Sequence, residues 1–208
     1  MYKLHFGPGD SWIKPSKDWL TIDIDPKRAH IVINLNSIER IPFEDESVEC
    51  IYASHIFEHI DIFHSPIVFR ECFRILKKNG FMRIVLPDVR KSIEQYLNGN
   101  AEYKLFKRRI EFLKKRFGYE KITLFEALKC DFISPTGQPD LLGCNSLAHQ
   151  NAWDYESLVC DLCRAGFEES KIKKMAFRKT DCKHFEFEGT YPSEANEYDR
   201  SLYVEVRK

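Results

Sequence analysis

The chain predicts an α/β fold built on a mostly parallel sheet, and three observations carry that prediction. Between Ser47 and Leu86 a strand-like run, an amphipathic helix, a glycine stop and a second strand-like run follow one another. That is the order of a parallel crossover unit. Three shorter apolar runs precede it, each leading into turn-forming residues, and a second amphipathic helix and a last strand-like run close the chain.

Each element can be justified in order. Tyr2–Phe6 (YKLHF) is a short apolar run closed by Gly7-Pro8-Gly9, a strand into a tight turn. Trp19–Ile24 (WLTIDI) is a second strand-like run that ends in Asp25-Pro26, and Ile31–Leu35 (IVINL) is a third. Ser47–Ala53 (SVECIYA) is entered from the turn-like PFEDES. Ser65–Lys78 has apolar residues at Ile67, Val68, Cys72, Ile75 and Leu76, with Pro66 in its first turn and lysines at its end. This is helical spacing with the expected end signals, and Asn79-Gly80 is the predicted stop. Phe81–Leu86 (FMRIVL) follows as a strand and ends at Pro87-Asp88.

Residues 90–145 read as an inserted helical cap within a single domain of residues 1–208. Phe106, Ile110, Leu113 and Phe117 fall at helical spacing, with basic residues on the other faces. A solvated basic face is the expectation; a basic wall facing an anionic acceptor is the alternative. Pro135, Gly137 and Pro139 mark a loop, Asp154–Ala165 a helix closed by Gly166, and Ser201–Arg207 (SLYVEVR) a final strand. There is no internal repeat and no low-complexity segment.

Composition excludes several classes. Thirty-two basic and thirty-two acidic residues cancel, so no whole-molecule field draws the chain to nucleic acid or to an anionic membrane. No apolar run approaches the ~20 residues of a membrane span, and the first residues lack a signal-peptide pattern. A cytoplasmic protein with no membrane insertion is expected. The seven cysteines are odd in number and irregular in spacing, as suits reduced thiols. Cys160-x-x-Cys163 with Cys182-x-His184 is a conceivable zinc set, but the first pair lies on one face of a helix, where buried thiols are the expectation.

The string His55-x-x-Glu58-His59 matches the signature of the inverted zincins. That chemistry needs a long helix so that both histidines converge on one ion. Here the string follows a strand directly, and His64-Ser65-Pro66 begins a new helix soon after. Glu94, Glu102 and Glu111 are the acids available as a third ligand, without a pattern that selects one. No metal is therefore expected. Only nine residues, including Pro15, separate Gly9 from Trp19, so a full crossover helix after the first strand has no room. A third glycine of G-x-G-x-x-G is also missing, and an NAD site is discounted.

The segments LHFGPGD, DWLTIDIDP, IPFEDESVECIYASHIFEHI, ECFRILKKNGFMRIVLPD, HQNAWDYESLVCDLCRAGF and SLYVEVRK occur in this order. Together they resemble the class I S-adenosylmethionine-dependent methyltransferases, in particular their small methyltransferase-11-like branch, over Lys3–Asp88 and His149–Lys208. Ser11 stands where many relatives carry a third glycine, Lys77-Lys78-Asn79-Gly80 replaces Lys-Pro-Gly-Gly, and Asn34 stands where Asp is frequent.

The resemblance implies a Rossmann-like methyltransferase sheet, mostly parallel with an antiparallel C-terminal strand and a helical cap insertion. It implies S-adenosylmethionine as cofactor, with S-adenosylhomocysteine as product. The implied cofactor residues are Gly7, Gly9, Asp23, Asn34, Leu35, Ser54 and His55. Glycines let backbone approach a ligand closely, and a carboxylate at a strand end accepts both hydroxyls of a ribose. Asp25 competes with Asp23 for that task; the family pattern favours Asp23. His55 and His149 are the candidate catalytic bases, because a neutral imidazole can take the proton of a hydroxyl near pH 7. Glu58 and His59 are expected only to hold the loop.

The expected acceptor is a small polar molecule, through a hydroxyl or other oxygen of a sugar, nucleotide-linked sugar or metabolite. A non-catalytic cofactor-binding subunit of a partner enzyme is the alternative, and a homo-oligomer is left open. A nucleic-acid substrate on the KRRIEFLKKR face is disfavoured by the balanced charge and the lack of an aromatic platform.

Overall fold

The computed structural model describes residues 1–133, 148–189 and 199–208. The predicted loop at Pro135, Gly137 and Pro139, and the end of the predicted cap at Asn145, lie outside the described residues. Seven strands form one sheet: β1 (Tyr2–Phe6), β2 (Trp19–Asp23), β3 (Ile31–Val32), β4 (Val48–Ser54), β5 (Leu76–Pro87), β6 (Ile172–Met175) and β7 (Ser201–Arg207). Their order across the sheet is β3-β2-β1-β4-β5-β7-β6. The first five run parallel, and β7 lies antiparallel to β5 and to β6. The chain reverses its direction of winding between β1 and β4. In open sheets of this kind, ligands bind beyond the carboxyl ends of the strands at that point.

Strand alternation divides the side chains between two faces. Leu4 and Phe6 of β1, Ile51 and Ala53 of β4, Ile84 and Leu86 of β5 and Val204 and Val206 of β7 share one apolar core. The helices α1 (Ser65–Ile75) and α5 (Tyr155–Ala165) cover it with Val68, Phe69, Cys72, Leu158 and Leu162. Asp154 caps α5, its carboxylate accepting from the Ser157 backbone at 2.9 Å, and Gly166 ends it at φ +115°. A left-handed residue at that place is what glycine supplies.

The opposite face carries Trp19, Cys50, Tyr52, Val85 and Tyr203. No helix lies between β1 and β2, as the short spacing predicted. Instead Trp12, Phe185 and Phe187, from irregular chain and a 3-10 segment over Lys183–Gly189, cover that face. Arg83 of β5, 1% exposed, is buried beneath them. It pairs with Glu188, donates to Glu205 Oε1 at 2.8 Å and to the Lys179 carbonyl at 3.0 Å. Burial opposes its charge, yet the Glu188 and Glu205 carboxylates hold its proton more tightly than usual.

Between β5 and α5 the chain forms α2 (Val89–Leu97), α3 (Lys104–Phe117) and α4 (Leu124–Lys129). Phe106, Leu105, Tyr103, Ala127 and Leu128 make their own small core, with Ile110 against it. Leu113 is buried as its spacing predicted, whereas Phe117, the last residue of α3, is exposed and stacks on Tyr119.

Two predicted boundaries and one predicted burial are corrected. The third strand stops at Val32, because Asn34 accepts from the Asn36 backbone at 3.0 Å and caps a 3-10 turn over Leu35–Ser37. The first helix stops at Ile75 rather than at Asn79-Gly80. Leu76 already pairs with Val48, and the Asn79 backbone donates to the Lys208 carbonyl at 2.8 Å, so residues 76–80 are claimed by the sheet. Cys160 is exposed rather than buried, because Leu158, Leu162 and Ala165 set the inner face of α5 and a residue two places from Leu158 points away from it.

Candidate functional site

Gly7, Asp23 and Ser54-His55 lie at the carboxyl ends of β1, β2 and β4, where the topology places a binding crevice. Gly7 and Gly9 both take left-handed backbone, φ +61° and +64°. A Cβ on Gly7 would stand 2.8 Å from Ile56 Cδ1, so the space over this glycine holds the Ile56 side chain. The protein's own packing requires glycine here, in addition to the backbone angle.

Asp23 is half-buried. Its Oδ1 accepts from the Asp25 backbone at 2.9 Å. Burial raises its pKa above the ordinary aspartate value. The Asp25 carboxylate is engaged differently: it accepts from the Lys27 backbone at 2.9 Å and lies 3.5 Å from Arg28. Arg28 also reaches Asp10 at 2.7 Å, which ties the glycine turn to the end of β2. Asn34 is half-buried with its side chain spent on the cap described above, and Leu35 is buried in the apolar core. Ser54 is half-buried at the last position of β4.

His55 also takes a positive φ, +52°, uncommon for a residue with a side chain. Its backbone N–H donates to the Val85 carbonyl at 2.9 Å. Both ring nitrogens are engaged: Nδ1 is 3.0 Å from Glu58 Oε1, and Nε2 is 2.9 Å from Ser201 Oγ. The H-x-x-E-H string therefore forms a bend followed by a 3-10 turn over Phe57–His59, not a long helix.

The string meets a distant segment. The Gln150 and Asn151 backbone N–H groups donate to the Glu58 carbonyl at 2.8 and 3.1 Å. The His149 ring lies 5.0 Å from the His59 ring at 74°. Glu58, His59 and His149 each place one ligand-type atom within 4.8 Å of the others. His149 joins Glu58 and His59, while His55 touches the group through Glu58.

Burial would raise the Glu58 pKa, but the His55 hydrogen bond and the surrounding imidazoles outweigh it and hold the carboxyl below the ordinary glutamate range. Burial lowers the His149 pKa, which favours the neutral ring. His59, Glu58 and the nearby Asp131 are thus parts of the site that the sequence reading passed over. The H-x-x-E-H string was the available signal for the first two. Nothing local marks Asp131, whose carbonyl lies 2.9 Å from His149 Nδ1.

Comparisons with known proteins agree with this architecture. Residues 15–84 match the family model described as a methyltransferase domain. An S-adenosylmethionine-dependent methyltransferase from Methanosarcina mazei aligns over 100% of this chain and 92% of its own, at 13% identity and a TM-score of 0.51. One from Mesorhizobium loti aligns over 100% and 90%, at 14% identity and 0.50. A chain from the complex between the Haloferax volcanii Trm112 methyltransferase activator and a methyltransferase aligns over 99% and 81%, at 12% identity and 0.50. At such identities the likeness is one of fold. A search of curated proteins gives no match.

The fold is that of the class I S-adenosylmethionine-dependent methyltransferases. Residues 15–84, about a third of the chain, carry the likeness to a methyltransferase domain, and the cofactor that this likeness and the fold point to is S-adenosylmethionine. The residues fit that group in their chemistry. A half-buried carboxylate at the end of β2 suits a ribose diol, and the turn at Gly9 exposes its backbone. Among the described residues, no helix is long and apolar enough to cross a membrane.

Proposed function

We propose that the chain transfers the methyl group of S-adenosylmethionine to an oxygen of a small polar acceptor, a hydroxyl of a sugar, nucleotide-linked sugar or metabolite. The observation that carries this reading is the joining of Glu58, His59 and His149 beside the carboxyl end of β4. A sulfonium methyl needs in-line attack in a water-poor setting, and a hydroxyl acceptor also needs its proton removed. Bound there, the cofactor supplies the electrophilic methyl. Asp23 would hold its ribose, and its methionine end would have to turn the Ile56 side chain aside from Gly7.

On this reading His149 is the base in the ion-free protein. Its Nδ1 faces the Asp131 carbonyl and donates to it, which leaves the Nε2 lone pair for the acceptor. His55, engaged at both nitrogens, acts on Glu58 as a positioning residue. The region of residues 90–145 would cap the acceptor side, since Asp131 at its far end touches His149.

The test is formation of S-adenosylhomocysteine from labelled cofactor against a panel of sugars, nucleotide-linked sugars and their amino counterparts. Turnover of a hydroxyl acceptor is expected, with kcat lowered by about 10²–10⁴-fold in His149→Ala. Turnover of amines alone would overturn the choice of oxygen. Cofactor binding with no turnover of any acceptor would favour the non-catalytic subunit.

A further inference from the structure

We infer that Glu58, His59 and His149 form a binding site for one divalent first-row transition ion, with zinc the best match. The donor set is a carboxylate and two imidazoles, the composition of a three-ligand zinc site that keeps a fourth position open. One ligand-type atom of each lies within 4.8 Å of the others, a span that a single ion can bridge.

Two independent features of the same residues point to a ligand. The first is the Glu58 carboxylate, only 1% exposed. Its Oε1 faces His55, while its Oε2 is buried with no hydrogen-bond partner among the described residues. A bare buried carboxylate oxygen is costly. Glu58 lines a narrow crevice with Leu86, Val89, Asp131 and Trp153. The half-buried rings of His59 and His149 lie beside this carboxylate.

The second feature is the state of the two imidazoles. His59 Nδ1 lies 3.2 Å from the Ala148 carbonyl, and His149 Nδ1 lies 2.9 Å from the Asp131 carbonyl. A carbonyl only accepts, so each Nδ1 carries the proton and each Nε2 keeps its lone pair. Backbone carbonyls holding the far nitrogen are the usual support behind metal-bound histidines: they fix the tautomer and orient the ring. His55 supports the third ligand in the same way, through Glu58 Oε1.

The reading of the acceptor as a hydroxyl, on which this part rests, gives the open position a use. A hydroxyl held there would be more acidic: its proton would pass to water, its oxygen would bond to the methyl carbon as the carbon–sulfur bond breaks, and S-adenosylhomocysteine would leave as the neutral thioether. In the ion-loaded protein, His149 is then a ligand rather than a base.

The experiment uses the full chain, stripped with a chelator and dialysed. Zinc chloride is titrated calorimetrically, and cobalt(II) is added in a parallel sample to read its visible absorption. One zinc per chain is expected, together with the strong cobalt bands of a four-coordinate site. The affinity should fall at least about 100-fold in His59→Ala, His149→Ala and Glu58→Gln, given that even outer partners of such sites are worth 10–100-fold. Cys160→Ser/Cys163→Ser serves as the control for the exposed thiol on α5 and should bind zinc as the parent does. Circular dichroism and melting without metal show that each variant is folded.

Absence of stoichiometric zinc in the parent overturns the proposal. So does zinc binding that survives in the histidine variants or disappears with the two cysteines. S-adenosylhomocysteine titrated into the same stripped samples reports on the cofactor reading separately, so failure of one is distinguishable from failure of the other.

Discussion

The two faces of the sheet are covered in different ways. On one, α1 and α5 lay apolar side chains over the strands, and the core contains Leu, Ile, Val and Phe almost throughout. On the other there is no helix between β1 and β2; irregular chain brings Trp12, Phe185 and Phe187 over the strands, and β5 and β7 bury charged residues, Arg83 and Glu205, against Glu188. The helical face is held by volume and area, which many residues of similar size can supply. The irregular face relies on particular partners, because a buried charge is tolerated only with its counter-charge.

The comparison makes its strongest prediction at Arg83. Arg83→Met leaves Glu188 and Glu205 buried without their cation and should cost about 3–5 kcal/mol in urea unfolding. Adding Glu188→Gln and Glu205→Gln to that variant should restore much of the loss. If the single change is silent, the network contributes nothing to the irregular face. On the helical face, Leu162→Ala should cost about 2–5 kcal/mol, and Leu162→Met under about 1.5 kcal/mol. A Met variant as damaging as the Ala variant would show that this face is also specific in detail.

A further effect concerns pH. His5 is buried on the irregular face between Trp12 and Tyr52, with ring centroids at 4.6 and 4.9 Å. Burial pushes its pKa down to about 3 from 6.5. The unfolded chain then takes up a proton on this ring below about pH 6.5 while the folded chain does not. Stability must fall as pH drops from there toward 3, by at most about 1.4 kcal/mol per unit from this group. His5→Phe keeps an aromatic ring and removes the titration, so its urea midpoint should decline less between pH 6.5 and 4. Parallel curves for the two proteins would contradict that assignment.

The same contrast explains what was legible in the sequence. β1 and β7 fall at the expected residues, and α5 with its Asp154 cap and Gly166 stop lies where periodicity placed it. Those signals are local: alternation, helical spacing and end residues. β6 was not singled out, since IKKM has a weak apolar pattern and is a strand only by pairing with β7. The helix stop at Asn79-Gly80 was misjudged because the competing partner, Lys208, is at the other end of the chain. The candidate site divides along the same line. Gly7 and His55 could be placed at strand ends from the local pattern, and the family resemblance favoured Asp23 over Asp25. The meeting of His149 with Glu58 and His59 depends on a contact across some ninety residues of sequence separation, comparable to the 89 between His59 and Ala148, and no local pattern encodes it.

The account depends most on the crevice at the ends of β1 and β2, and titration of S-adenosylhomocysteine tests it directly. The parent chain should bind it with measurable heat. Asp23→Ala should weaken binding by about 1–3 kcal/mol through loss of charge-assisted hydrogen bonds, while Asp25→Ala, whose carboxylate serves the turn, should matter less. No heat from a folded parent, or equal affinity in parent and Asp23→Ala, would contradict it.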